Sequence, residues 1–155
     1  VHLAGCRHEG INVGLLGNLS FHKGSEVVEA LLKSCHKTRL DQEVHFIHFG
    51  DNLDNVIDDN FVSLNEYDRD QLPDLVEQHQ IDVFFLTSIW PETFSFTCSE
   101  IISMNVPLIC FDMGAPAERT KKYEKGLVLP SPHNIEEEAP EILESIVKFA
   151  NEMSL

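Results

Sequence analysis

Apolar runs and amphipathic stretches alternate along this chain. Ile11 to Gly17 (INVGLLG) has the pattern of a buried strand ending in glycine. The loop Asn18-Leu19-Ser20-Phe21-His22-Lys23-Gly24 follows. Ser25 is then placed to cap a helix through about Thr38, with Val27, Val28, Leu31 and Leu32 as its core stripe. Val44 to Phe49 predicts a second strand closed by Gly50, and Phe61 to Leu64 a short third. Leu72 to Gln78 predicts a helix opened near Asp70. Asp82 to Leu86 (DVFFL) is a continuous apolar strand, as in a parallel sheet covered on both faces. A helix from about Phe94 to Met104, a strand over Pro107 to Phe111 and a short helix over Ala115 to Tyr123 come next. A strand over Gly126 to Leu129 and a helix over Ile135 to Glu152 close the chain.

This order predicts an α/β fold: a Rossmann-like open parallel sheet with helices on both faces. Such sheets bind ligands at the carboxyl ends of their strands. The informative loops are then those after Gly17, Gly50, Leu64, Leu86 and Phe111. The length of 155 residues suits one domain, residues 1–155, and no linker or internal repeat divides it. The chain opens at Val1 rather than methionine, and the expectation is a fragment of a longer protein.

Composition narrows the partners. A 43% hydrophobic share fits a folded domain, and a net charge of −15 excludes nucleic acid as a partner of the whole surface. Glu136, Glu137 and Glu138, and the cluster Asp51, Asp54, Asp58 and Asp59, are read as solvated charges. No apolar run approaches the roughly 20 residues of a membrane span. No basic stretch followed by an apolar one opens the sequence. The expected location is cytoplasmic. The four cysteines, Cys6, Cys35, Cys98 and Cys110, show no CxxC spacing and are expected to be reduced thiols. His45 and His48 lie an odd number of positions apart in a predicted strand. They face opposite sides and cannot share a metal, and no metal site is expected.

The most distinctive stretch is Ile81 to Glu100, IDVFFLTSIWPETFSFTCSE. A buried strand runs into Thr87-Ser88-Ile89-Trp90-Pro91, then a carboxylate, Glu92, then a helix near Phe94. A second carboxylate, Glu100, follows on that helix. Helix N-termini expose unpaired N–H groups and carry positive partial charge, so Thr93 to Thr97 is a ready anion site. Over a helical path the two glutamates are separated by a rise of about 12 Å and a rotation of about 80°. They can flank a phosphate site, one at each end of an elongated ligand. A nucleoside diphosphate sugar has that layout, with hydroxyls, diphosphate and ribose hydroxyls in order, and carboxylates accept from hydroxyls. Without that setting, the ordinary reading of a helix-start glutamate and a solvated one would prevail.

The Glu92-x7-Glu100 arrangement resembles the E-x7-E motif of GT-B-fold retaining glycosyltransferases, especially glycosyltransferase family 4, in their C-terminal donor-binding domain. Ile11 to Gly24 resembles the family's first strand and phosphate loop. Asp82 to Ser88 resembles its strand followed by P/T-S. Ile101 to Asp112 (IISMNVPLICFD) resembles its EAMA-G-PVIA-D stretch, and Gly114 to Glu118 and Gly126-Leu127-Val128 match later positions. The resemblance covers roughly residues 11 to 131. It implies that Glu92 contacts the donor sugar near the reacting carbon and that Glu100 holds the ribose hydroxyls. It implies that backbone N–H groups of Phe94, Ser95 and Phe96 face the sugar and distal phosphate. Lys23 would neutralise the leaving diphosphate, and Gly17 would admit the ligand close to the backbone. Glu92 and Lys23 are thus the expected catalytic residues.

There are departures. Asn18 stands where the family often has arginine, Thr93-Phe94-Ser95 replaces Gly-Phe-Gly, and Asn105 replaces a glycine, though asparagine also adopts a left-handed cap. Trp90 and Pro91 are placed to border the sugar pocket, or simply to pack at a strand end. For Arg119, Lys121 and Lys122 the preferred reading is a solvated helix face, and for Tyr67 an ordinary surface tyrosine. The implied activity is hexosyl transfer with retention, in polysaccharide biosynthesis, from a nucleotide sugar and without a cofactor. The acceptor, a glycan or lipid, would be held mainly by a missing N-terminal domain, with peripheral membrane association open to the full-length protein. The isolated domain is expected to be inactive. The alternatives are a GT-B nucleotide-sugar epimerase and a degenerate, non-catalytic nucleotide-binding module. A phosphoreceiver domain is disfavoured by Asn18 and Leu19 after the first strand.

Overall fold

The structure, a computed structural model, describes residues 10–20, 24–38, 40, 42–89 and 96–154. Among these, strands and helices alternate except where β3 follows β2 directly: β1 (Ile11–Leu16), α1 (Ser25–Lys37), β2 (Val44–Phe49), β3 (Phe61–Ser63), α2 (Leu72–Gln78), β4 (Val83–Leu86), α3 (Phe96–Ser103), β5 (Leu108–Phe111), α4 (Gly114–Lys121), β6 (Gly126–Leu129) and α5 (Ile135–Met153). The strands form one parallel sheet in the order β3-β2-β1-β4-β5-β6. This is the open Rossmann-like sheet that the alternation predicts.

Successive strand residues point to opposite faces, and both faces are covered. Val13, Leu15, Phe46, Val83, Phe85 and Ile109 share one core with Val28 and Leu31 of α1 and Leu143 and Ile146 of α5. Leu16, Phe49, Phe84 and Leu108 share the other with Leu72 of α2 and Cys98 and Ile101 of α3. Two-sided burial is the reason β4 carries an unbroken apolar run instead of an alternating one.

Several local expectations change. Ser25 does not cap α1; the N-cap is Gly24 at φ 92°, and the Ser25 hydroxyl donates to Asp54 at 2.5 Å. With its hydroxyl on Asp54, Ser25 is the first residue of the helix rather than its cap, and a Cβ at Gly24 would overlap the Thr87 carbonyl. Only glycine lets α1 begin so near the end of β4. Asp68, not Asp70, caps the turn into α2, accepting the Asp70 N–H at 3.1 Å at the head of a 3-10 turn over Arg69–Gln71. Asn105 takes the left-handed conformation, φ 59°, expected after α3.

Asp54, Asp59, Glu136 and Glu137 are exposed, as expected of solvated charges, but Glu138 and Asp58 also hold backbone or a side chain. Glu138 accepts the N–H groups of His133 and Asn134 at 2.8 and 2.7 Å, so it helps to cap α5. Asp58 meets His36 at 2.9 Å and accepts the Asn60 N–H at 2.9 Å. Cys35, Cys98 and Cys110 are free thiols, the last two buried. No helix among the described residues is long and apolar enough to cross a membrane.

Candidate functional site

Strand order reverses at β1: β2 and β3 lie on one side of it, β4, β5 and β6 on the other. Open α/β sheets take ligands at such a point, beyond the carboxyl ends of the strands. A cleft of about 190 Å³ opens there. Gly17 and Asn18 border it after β1, Thr87 and Ser88 after β4, and Met113 after β5, with Thr97 of α3 and His48 of β2 completing it. None of its described lining residues carries a formal charge. An anion held here would depend on backbone N–H groups, hydroxyls and any cation brought in from outside the lining.

The loop after β1 is tightly built. Gly17 sits at φ 105° and its N–H bonds Phe49 O at 2.9 Å. A Cβ on Gly50, at φ 139°, would overlap the Gly17 carbonyl, so this close approach requires glycine at position 50, while Gly17 is favoured by its own positive φ. On its other side Gly17 faces the first turn of α3, where a Cβ would lie 3.4 Å from Thr97 Cγ2.

His48, 1% exposed, bridges this loop to β3. Its Nε2 lies 2.6 Å from Gly17 O and its Nδ1 2.9 Å from Ser63 Oγ, and the ring stacks on Phe61 at 6.0 Å. A carbonyl can only accept, so Nε2 carries the proton and, in the neutral ring, the Ser63 hydroxyl donates to Nδ1. Burial lowers the His48 pKa, opposed by the Gly17 carbonyl and by the charge of Asp51. The fold therefore favours neutral His48. The unfolded chain takes up a proton near pH 6.5, so stability is full above that value and falls as pH drops below it. The urea midpoint of the wild type is expected to fall more steeply than that of His48→Leu from about pH 7.5 to about 5.5. Parallel curves would show that His48 titrates normally in the fold.

The predicted site residues divide into groups. Gly17 and Asn18 line the cleft. Phe96 and Glu100 lie toward the segment after β3. Glu100 pairs with Arg69 at 3.5 Å, and the Arg69 guanidinium lies 5.7 Å over the Phe96 ring. The Tyr67 pKa is raised by burial and then by the charge of Glu100, so this tyrosine shares the Glu100 corner; its ring also meets Phe49 edge-on at 6.4 Å. Lys23, Glu92, Phe94 and Ser95 lie outside the described residues, as do Trp90, Pro91 and Thr93.

From sequence, His48 is weighed only as a metal ligand and set aside, and Arg69 is not singled out. The available signal for His48 was a polar residue in an apolar strand directly before Phe49-Gly50. The α4 cations are also engaged: Arg119 donates to Ser99 at 2.5 Å and Lys121 to Asp112 at 2.8 Å. Cys110, at the cleft, has its pKa pushed up to about 11, chiefly by burial, which leaves a protonated thiol that is a poor nucleophile at neutral pH. Among the described residues no three His, Cys, Asp or Glu side chains form a group able to hold a metal ion.

A parallel sheet with an uncharged cleft at its switch point has the arrangement in which open α/β domains take their ligands. The chain belongs to the glycosyl transferases group 1 family, whose model matches residues 9–148. Comparison with curated proteins finds no match. Among solved structures, HepE from Anabaena in complex with UDP superposes with a TM-score of 0.69 at 20% identity, over 94% of this chain and 41% of that one. The lipopolysaccharide outer core galactosyltransferase WaaB, in its apo form, gives 0.67 at 17% identity, over 96% and 44%. The C-terminal domain of the group 1 protein LpcC from Francisella tularensis gives 0.64 at 15% identity, over 94% and 82%. The fold is that of a GT-B C-terminal domain, and the chain spans less than half the length of HepE and WaaB.

Proposed function

We propose that residues 1–155 form the donor-binding domain of a retaining glycosyltransferase of family 4, which moves a hexosyl group from a nucleoside diphosphate sugar to a glycan or lipid-linked acceptor. The observation that carries this reading is the cleft at the switch point, rimmed by Gly17, Asn18 and Thr97. The solved structure of HepE with UDP-glucose is of a protein with this fold. In the proposed arrangement the diphosphate lies between the loop after β1 and the start of α3. Lys23 and the helix N–H groups stabilise charge as it develops on the leaving diphosphate. Glu92 orients the sugar and Glu100 the ribose. No metal or other cofactor takes part. The acceptor is held by a separate domain of a longer protein, which would also supply any membrane association.

UDP, GDP and ADP, each added to the chain, should be screened by thermal shift. At least one is expected to raise the midpoint, since a ligand that binds only the folded state stabilises it by mass action. The same preparation should transfer no sugar, because proximity to a bound acceptor is missing. No shift with any diphosphate would overturn the binding assignment. Transfer by the chain alone would place the acceptor site within these residues.

A further inference from the structure

We propose that His48 is a positioning residue for the donor diphosphate: by holding the Gly17 carbonyl it fixes the Gly17–Asn18 peptide so that the Asn18 N–H is offered to the cleft. This rests on the donor-binding reading above. Gly17 tolerates many backbone conformations, so the following peptide has little intrinsic preference for one orientation. The Gly17 N–H bond to Phe49 O at 2.9 Å and the Leu19 N–H bond to Asp51 O at 2.8 Å hold the two ends of this step; the His48 Nε2–H, 2.6 Å from Gly17 O, is the side-chain contact that holds the carbonyl itself, and the 2.9 Å contact of Nδ1 with Ser63 Oγ fixes the ring. In a trans peptide the N–H points opposite to the carbonyl. With the carbonyl turned to His48, the Asn18 N–H takes the other side, and among the described residues no acceptor lies against it. Asn18 itself lines the cleft.

The chemistry favours a phosphate as the acceptor of that N–H. The described cleft lining carries no charge, so each oriented amide contributes a large share of the anion's stabilisation. Were the peptide flipped, the Gly17 carbonyl would face the diphosphate and repel it. His48 acts through the peptide and need not touch the ligand. A substitution that only loosened the fold would weaken every ligand equally. Loss of the peptide lock should weaken only ligands that carry phosphate.

The test compares the wild type, His48→Leu and His48→Gln for UDP by calorimetry and for uridine by NMR titration, with GDP or ADP and its nucleoside substituted should the protein prefer that base. His48→Leu is expected to weaken the diphosphate by about tenfold or more and the nucleoside by less than about twofold. His48→Gln, whose amide N–H reaches the same carbonyl, is expected to restore binding to within about threefold of wild type. Should His48→Leu not fold, His48→Asn replaces it, since its shorter amide leaves Gly17 without a donor. Unchanged diphosphate affinity in the Leu or Asn variant, or equal losses for diphosphate and nucleoside, would overturn the inference while leaving the donor reading intact. A wild type that binds no diphosphate would overturn both.

Discussion

Glu92→Ala in the full-length enzyme is expected to lower turnover by about 10² to 10³ while changing nucleotide affinity by less than about threefold. The motivation is position. In sequence Glu92 falls between strand β4 and α3, and the proposed arrangement assigns it to the sugar rather than to the ribose. A carboxylate that orients the sugar as its bond to the diphosphate lengthens acts mainly in the transition state. Losing such a group lowers kcat and leaves ground-state binding of the nucleotide nearly intact. Glu92 itself lies outside the described residues, so the expectation stands on the sequence spacing and on the cleft beside Thr97. Turnover within a few-fold of wild type, with nucleotide binding intact, would detach Glu92 from the chemistry.

The element order was legible because each strand and helix carries its own period, and the unbroken apolar run in β4 already implied helices on both faces. What local pattern does not encode is adjacency. That β1 lies between β2 and β4, and so holds the switch point, depends on the global strand order. His48 shows the consequence. Its placement in a strand was readable, but its bond to Gly17 requires β1 and β2 to be neighbours in the observed register. Gly24 shows the same for caps. Ser25 has the better local chemistry for an N-cap, but its hydroxyl goes to Asp54 of a distant segment, and the Thr87 carbonyl leaves room only for glycine at the capping position 24. The Arg69–Glu100 pair likewise joins the segment after β3 to α3, two elements whose contact no sequence window contains.

That pair frames the other large effect. Glu100→Ala is expected to weaken nucleoside diphosphate binding by about 1.5–3 kcal/mol, or roughly 10- to 150-fold, the cost of a lost hydrogen bond to a charged group. The arginine already beside Glu100 does not preclude this. Arg69 is 68% exposed, and pairs of that kind contribute about 0–1 kcal/mol, so ribose hydroxyls can replace the guanidinium at little cost. Nor should the substitution unfold α3. The Glu100 carbonyl accepts the Ser103 hydroxyl at 2.7 Å and the Met104 N–H at 3.2 Å, and alanine keeps both acceptor contacts. Alanine is also the strongest helix former, so loss of affinity without loss of melting temperature is the expected signature. Arg69→Ala serves as the control, with a change of less than about fivefold, because it removes only the exposed partner. Calorimetry that found the Glu100→Ala affinity equal to wild type would remove Glu100 from the ribose site, and the Arg69 contact would then be its whole role.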